Sequence, residues 1–100
     1  MKSSKIKRIE FYYVDRQEIL DKVCQDLLTE ESLAVDLECE NNLHHFGSYI
    51  SLIQISASNK NYIFDILRLK ELKPLIKVMH DNSVQKIFHD VSFDLRILNL

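Results

Sequence analysis

The chain has 100 residues, of which 46% are hydrophobic and 28% are charged, and its net charge is −2. This length holds one small domain with a single core, and the hydrophobic content excludes a disordered chain. No apolar run approaches the ~20 residues that span a bilayer, and residues 1–5 lead into no secretory core. The sequence therefore predicts an intracellular protein without a membrane partner. The nearly balanced charge argues against a non-specific nucleic-acid coat, but not against an enzyme that holds phosphates through metal ions.

The chain begins with a strand pattern followed by a helix pattern. Residues 9–14 are rich in strand-favouring side chains. Residues 16–29 carry apolar side chains at the spacing of one helix face. Asp15 with Glu18 three residues later predicts a capping box at the start of this helix.

The remaining chain predicts three strands joined by short loops, then a helix, a strand and a final helix. The three strands indicate an antiparallel meander, and this element order is typical of an α/β or α+β domain. Pro74 is compatible with the second helix only in its first turn. The predicted elements are residues 33–40, 48–57, 62–66, 72–79, 84–88 and a helix opening at Asp90.

The first of these strands, residues 33–40, is apolar but contains carboxylates. Side chains alternate between the two faces of a strand, so Asp36 and Glu38 share one face and Val35 and Leu37 the other. Because burying an unpaired carboxylate costs several kcal/mol, such groups are normally paired, protonated or bound to a metal. The pattern favours a divalent-metal site. The alternative is that both carboxylates reach solvent at the edge of a strand.

The predicted final helix contains a second anomalous carboxylate. At about 100° per residue, Ser92, Arg96 and Asn99 form a polar sector, and Asp94 lies opposite them in the apolar arc. Three inward carboxylates from two elements are what a two-metal site for phosphodiester hydrolysis needs. Asp36 and Glu38 lie ~6.6 Å apart along their strand, so both could reach one metal cluster.

Three short sequence segments are informative because of their order along the chain. They are Val-Asp-Leu-Glu at 35–38, Ser-Leu-Ile-Gln-Ile-Ser at 51–56, and Lys-Ile-Phe-His-Asp at 86–90 with Asp94 four residues further on. Together they resemble the DEDD 3'–5' exonucleases, and most of all the RNase D branch, which includes the catalytic exonuclease of the nuclear RNA exosome. The resemblance covers the chain from about residue 13 onward and includes the first two of the family's three exonuclease motifs.

The resemblance implies an α/β, RNase H-like fold, with an antiparallel three-stranded meander, a parallel strand and flanking helices, incomplete at its C-terminus. It implies two Mg²⁺ or Mn²⁺ ions, with Asp36, Glu38 and Asp94 as catalytic metal ligands. Leu52 and Gln54 lie on the strand that typically lines the terminal nucleotide, and His89 precedes the second-motif helix at the edge of the site, so the resemblance implies that these three residues bind substrate. The implied substrate is nucleic acid, with the 3' end of single-stranded RNA favoured and DNA as the alternative.

The sequence departs from the family at the third motif, which supplies a fourth carboxylate and a Tyr or His that orients the attacking water. Nothing in residues 1–100 matches it. We therefore expect one domain that is the N-terminal portion of an exonuclease domain, with an incomplete metal site and little or no nuclease activity alone. Exposed apolar surface would then favour self-association. The alternatives are a catalytically degenerate module that binds RNA or proteins as a scaffold, and an unrelated structural α/β domain.

Overall fold

The computed structural model describes residues 10–41 and 48–88, which form a five-stranded sheet and two helices. The predicted final helix and its Asp94 lie outside these residues. Neither described helix is long and apolar enough to cross a bilayer. The elements are β1 (Phe11–Val14), α1 (Gln17–Leu27), β2 (Ser32–Asn41), β3 (Ser48–Ser56), β4 (Asn61–Asp65), α2 (Lys73–His80) and β5 (Gln85–Phe88).

The strands lie in the order β1-β4-β3-β2-β5. β2, β3 and β4 form the predicted antiparallel meander, and β5 pairs in parallel with β2. β1, the strand predicted at residues 9–14, pairs in parallel with β4, a pairing that the sequence did not predict. β3 has a neighbouring strand on each side and is therefore an interior strand of the sheet.

One face of the sheet packs against both helices. Leu33, Val35 and Leu37 alternate inward along β2 and are buried, as the strand period requires. α1 and α2 contribute apolar stripes to the same buried cluster. Its members are Val14, Leu20, Cys24, Leu27, Leu33, Val35, Leu37, Ile53, Ile55, Tyr62, Phe64, Leu69, Leu75, Val78, Met79 and Val84.

One apolar residue of α2 points away from the core. The inward stripe is formed by Leu75, Val78 and Met79, which are spaced three and four residues apart along the helix. Ile76 is 52% exposed, because one residue turns the helix by about 100° and carries this side chain off the stripe. Pro74 does lie in the first turn, as predicted.

The predicted capping box at the start of α1 is wrong. The helix begins at Gln17, and the N-cap position is Arg16, which is extended and makes no side-chain cap. Asp15 stands one residue too early for the cap, and its carboxylate lies 3.6 Å from the Arg68 guanidinium. The Gln17 amide donates to the Glu71 carbonyl (2.8 Å) and accepts from the Glu71 N–H (3.0 Å). This pair of bonds joins the start of α1 to the segment before α2.

The end of α2 is tied to β5 by a lysine. Lys86 Nζ donates to the carbonyl oxygens of Val78 (3.1 Å) and Asp81 (2.5 Å). Both carbonyls also accept a backbone N–H, that of Asp81 and that of Val84 respectively, and the cation adds a favourable interaction with the C-terminal end of the helix dipole. Burial lowers the pKa of Lys86. The lysine that the sequence places in a strand therefore serves as the cap of a helix.

The buried thiol of Cys24 predicts a pH dependence of stability. The side chain is 3% exposed, and burial raises its pKa to about 12. A thiol in the unfolded chain ionises near pH 8.5, so ionisation favours unfolding above that pH. Linkage gives a loss of about 2 kcal/mol in the free energy of unfolding between pH 7 and pH 10. Urea unfolding at both pH values should show a smaller loss in Cys24→Ala than in the wild type.

The matched control is Cys39→Ala, which keeps the thiol of Cys24 in place and should retain its part of the loss. An equal loss in Cys24→Ala and the wild type would show that Cys24 is not the group responsible.

Candidate active site

Asp36 and Glu38 lie on the face of β2 that points away from the helices. Both side chains are exposed, whereas Val35 and Leu37 on the other face are buried. The prediction that the carboxylates are buried is therefore wrong in the part of the chain that the structure describes. The carboxylates are exposed because, in that part of the chain, both helices pack in the cluster on the opposite face of the sheet. The strand itself is interior, with β3 and β5 as neighbours.

Two other predicted site residues lie directly beside these carboxylates. In the β2–β3 register, Gln54 is opposite Asp36 and Leu52 is opposite Glu38. Directly opposite residues on antiparallel strands project to the same face with Cβ atoms about 5 Å apart. Gln54 and Leu52 are both half-buried. Four of the predicted site residues thus share one patch of the sheet, which we call the carboxylate face: Asp36, Glu38, Leu52 and Gln54.

A shallow groove runs along this patch toward β5. It has a volume of about 490 Å³, and Asp36, Gln54 and Ser56 supply its polar lining. Ile87 and Phe88 of β5 form part of its apolar lining. The groove therefore combines hydrogen-bonding groups with an apolar wall, as a nucleotide with a base and a sugar requires.

A β-bulge interrupts the regular pairing of β2 and β3 beside Glu38. Leu52 lies opposite Glu38 but Ile50 lies opposite Cys39, so Ser51 is the extra residue. The buried Ser51 hydroxyl donates to the backbone carbonyl of Glu38 at 3.1 Å. Bulges re-aim side chains and are over-represented next to active sites. Sequence reasoning missed the role of Ser51, for which the one available signal was a small polar residue within an apolar strand.

The carboxyl end of β5 reaches the same patch. Phe88 pairs in parallel with Val35, one residue before Asp36. His89 and Asp94 follow β5 in the chain but lie outside the described residues, so their part in the site stays a prediction. Within residues 10–41 and 48–88, no three His, Cys, Asp or Glu side chains group closely enough to hold a metal.

The two carboxylates fit part of a site for a divalent cation. Neither makes a hydrogen bond or ion pair with another described residue. Two like charges ~6.6 Å apart on one strand face repel each other, and a cation between them would offset that repulsion. Mg²⁺ and Mn²⁺ take oxygen ligands and keep several waters. Exposure of both side chains leaves room for those waters and for a phosphate.

A second polar group lies further across the same face. Asp65 on β4 is opposite Leu52, so Glu38, Leu52 and Asp65 form one row across three strands. The Tyr13 hydroxyl donates to the Asp65 carboxylate, and this bond raises the pKa of Tyr13. Arg68 approaches the same carboxylate at 4.0 Å. Sequence reasoning gave no signal for this group, because its members come from separate segments.

Comparison with known proteins gives a consistent result. A family model described as 3'-5' exonuclease matches residues 11–100. The exosome complex exonuclease RRP6 of Saccharomyces cerevisiae is 33% identical over 84 residues, which is 83% of this chain and 11% of that protein.

Two solved structures share the fold of this chain. The catalytic core of RRP6 from Trypanosoma brucei matches with a TM-score of 0.83 and 28% identity, over 90% of this chain and 25% of its own. Trypanosoma brucei RNase D in complex with GMP matches with a TM-score of 0.77 and 25% identity, over 89% of this chain and 29% of its own. The chain thus spans only about a tenth to a third of the length of these three proteins.

The carboxylate face predicts that Asp36 contributes nothing to stability. In the absence of divalent ions, Asp36→Asn should leave the free energy of unfolding unchanged or raise it by about 0.5 kcal/mol, because it removes repulsion with Glu38. The control is its buried neighbour Val35, since Val35→Ala should lower the free energy of unfolding by about 2 kcal/mol. Urea unfolding of both variants measures this. A loss above 1 kcal/mol in Asp36→Asn would show that the carboxylate has a structural role.

Proposed function

This chain belongs to the 3'–5' exonuclease family, and from that premise we propose that it supplies part of a metal-dependent site that hydrolyses single-stranded RNA from the 3' end. Its mixed sheet has the RNase H-like fold expected from the sequence. We propose that residues 1–100 carry the first and second exonuclease motifs and lack the third. The observation that carries the proposal is the placement of Asp36 and Glu38 beside Gln54 and Leu52 on the carboxylate face.

In this proposal Asp36, Glu38 and Asp94 are the metal ligands. Bound Mg²⁺ or Mn²⁺ would supply charge neutralisation and activation of water at the scissile phosphate, in a two-metal arrangement. The two carboxylates of β2 contribute anionic oxygen at the surface without a competing cation among the described residues. Because neither carboxylate has a partner among the described residues, both are available to bind ions reversibly.

The neighbouring side chains orient the terminal nucleotide. Leu52 offers an apolar contact to the sugar or base, and the Gln54 amide can both donate to and accept from a ribose hydroxyl or a base edge. The ribose 2'-hydroxyl is the group by which a protein distinguishes RNA from DNA. His89, which follows β5, is proposed as a further contact at the edge of the site.

The choice of RNA is supported by the relatives. The RNase D structure contains GMP, a ribonucleotide, and the yeast relative is an exonuclease of the exosome complex. An intracellular place of action is part of the same proposal.

A second candidate function is a module that binds RNA or a protein without hydrolysing anything. The absence of the third motif from residues 1–100 favours it. That motif supplies the fourth carboxylate and the group that orients water, and without them a site of this family has too few ligands and no general base. We therefore propose that this chain binds metal and RNA but does not degrade RNA on its own.

Metal binding is tested by Mn²⁺ titration. A ligand that binds only the folded state stabilises it by about 2.7 kcal/mol at 100 times its dissociation constant, so the melting temperature should rise with Mn²⁺. Asp36→Asn and Glu38→Gln should remove the rise. The control Asp26→Asn, an exposed carboxylate on α1, should keep it. No Mn²⁺ effect in the wild type, or the same effect in all variants, would contradict a metal site at β2.

RNA recognition is tested with an RNA and a DNA oligonucleotide of the same sequence in Mn²⁺. The wild-type chain should bind the RNA more tightly, as measured by competition fluorescence anisotropy, and gel analysis should show no shortening. Tighter binding of the DNA would contradict the substrate class. Stepwise shortening that Asp36→Asn abolishes would contradict inactivity of the chain alone while supporting the enzyme.

A further inference from the structure

We propose that the edge strand β1 carries a stacking strip for bases several nucleotides upstream of the RNA 3' end. The strip consists of Phe11, Tyr13 and Arg68, and we call it the edge strip. The inference rests on the proposed function, because the occupant is the same single-stranded RNA whose 3' end lies at the carboxylate face.

The edge strip and the carboxylate face are parts of one continuous surface. In the sheet register Tyr13 is opposite Ile63, Ile63 is opposite Gln54, and Gln54 is opposite Asp36. Side chains at directly paired positions project to the same face. Three strand spacings of ~4.8 Å place Tyr13 about 14 Å from Asp36. A strand of RNA that starts at Asp36 and crosses the sheet therefore arrives at β1.

The two aromatic rings of the edge strip are open to solvent. Phe11 and Tyr13 alternate to the same face of β1 and are 51% and 54% exposed. Tyr12 points the other way, and its ring lies 5.7 Å from that of Tyr62 in the core. Exposed rings on a sheet surface are the feature with which single-stranded nucleic-acid binders stack bases, at any sequence.

The Tyr13 ring is held in place before any base arrives. Its hydroxyl donates to Asp65, which lies opposite Leu52 of the carboxylate face. This bond restricts the side chain, so less conformational freedom is lost when a base stacks on it.

Arg68 supplies positive charge where the surface otherwise repels phosphates. Asp36, Glu38 and Asp65 all carry negative charge on this face. Arg68 follows β4 in the chain and lies beside Asp65, the residue to which the Tyr13 hydroxyl donates. Its side chain is 69% exposed, and its guanidinium approaches the carboxylates of Asp15 and Asp65 at 3.6 and 4.0 Å. Such surface pairs are weak, and a guanidinium has five N–H donors, so donors remain for a phosphate.

The geometry sets the RNA length at which the edge strip is reached. At ~3.4 Å per nucleotide, the spacing of a stacked strand, 14 Å corresponds to about four nucleotides. A dinucleotide bound at the carboxylate face falls short of Tyr13, whereas five nucleotides reach it. Stacking on one aromatic ring should therefore appear as a gain in affinity of roughly tenfold between these lengths.

The experiment measures binding of unlabelled oligouridylates of two, three, five and eight nucleotides in Mn²⁺, by competition against a fluorescent RNA. The wild-type chain should show the gain between two and five nucleotides. Tyr13→Ala should remove most of it while leaving dinucleotide affinity unchanged, and Tyr13→Phe, which keeps the ring, should retain it. Tyr12→Ala, on the opposite face of the same strand, is the matched control and should also retain it.

Each outcome either supports or overturns the proposed edge strip. A length-dependent gain that is equal in wild type and Tyr13→Ala, or lost equally in Tyr12→Ala, overturns the edge strip and leaves the proposed function standing. Absence of RNA binding at every length overturns both. A melting curve of each variant accompanies the binding data, and an unfolded Tyr13→Ala is replaced by Arg68→Gln, whose expected effect is a loss confined to the longer oligonucleotides.

Discussion

Val35 and Leu37 lie in the same buried cluster as the apolar residues of α1 and α2, and this burial determines which way every other side chain of β2 points. Because side chains alternate along a strand, sealing one face against the helices commits Asp36 and Glu38 to the other. The two functions of the strand are thereby separated onto two faces. The apolar residues of β2 are buried in the core, and its two carboxylates are exposed on the other face.

Much of the fold could be predicted because its determinants are local. The meander from β2 to β4, the presence of strand β5 and the first-turn position of Pro74 follow from periodicity and turn residues. The parallel pairing of β5 with β2 was implied by the resemblance to the family. The capping box was wrong because α1 begins at Gln17, one residue later than the box requires. Asp15 instead lies 3.6 Å from Arg68, which comes from a distant segment. The place of β1 beside β4 also depends on long-range pairing, which periodicity does not encode.

The candidate site was predicted in part for a similar reason. Strand alternation puts Asp36 and Glu38 on one face, but it does not say which face the helices cover, so their exposure was predicted wrongly. The pairing of Asp36 with Gln54 and of Glu38 with Leu52 is a matter of register, which depends on the turns and bulges between strands. The resemblance to a family named all four residues, and the structure supplies the geometry that relates them.

The bulge at Ser51 divides β3 into two segments. In each segment, the alternation of side chains between the core face and the carboxylate face is set independently. On one side of it, Leu52 and Gln54 belong to the carboxylate face, while on the other Ile50 packs against the core with Cys39. A one-residue insertion or deletion elsewhere in the strand would exchange its two faces. The bulge already accommodates one extra residue, Ser51, whose hydroxyl donates to the Glu38 carbonyl. The alternation of inward and outward side chains starts anew on each side of it. Length variation in this strand is thus tolerable at one place, and that place adjoins the site without altering its register.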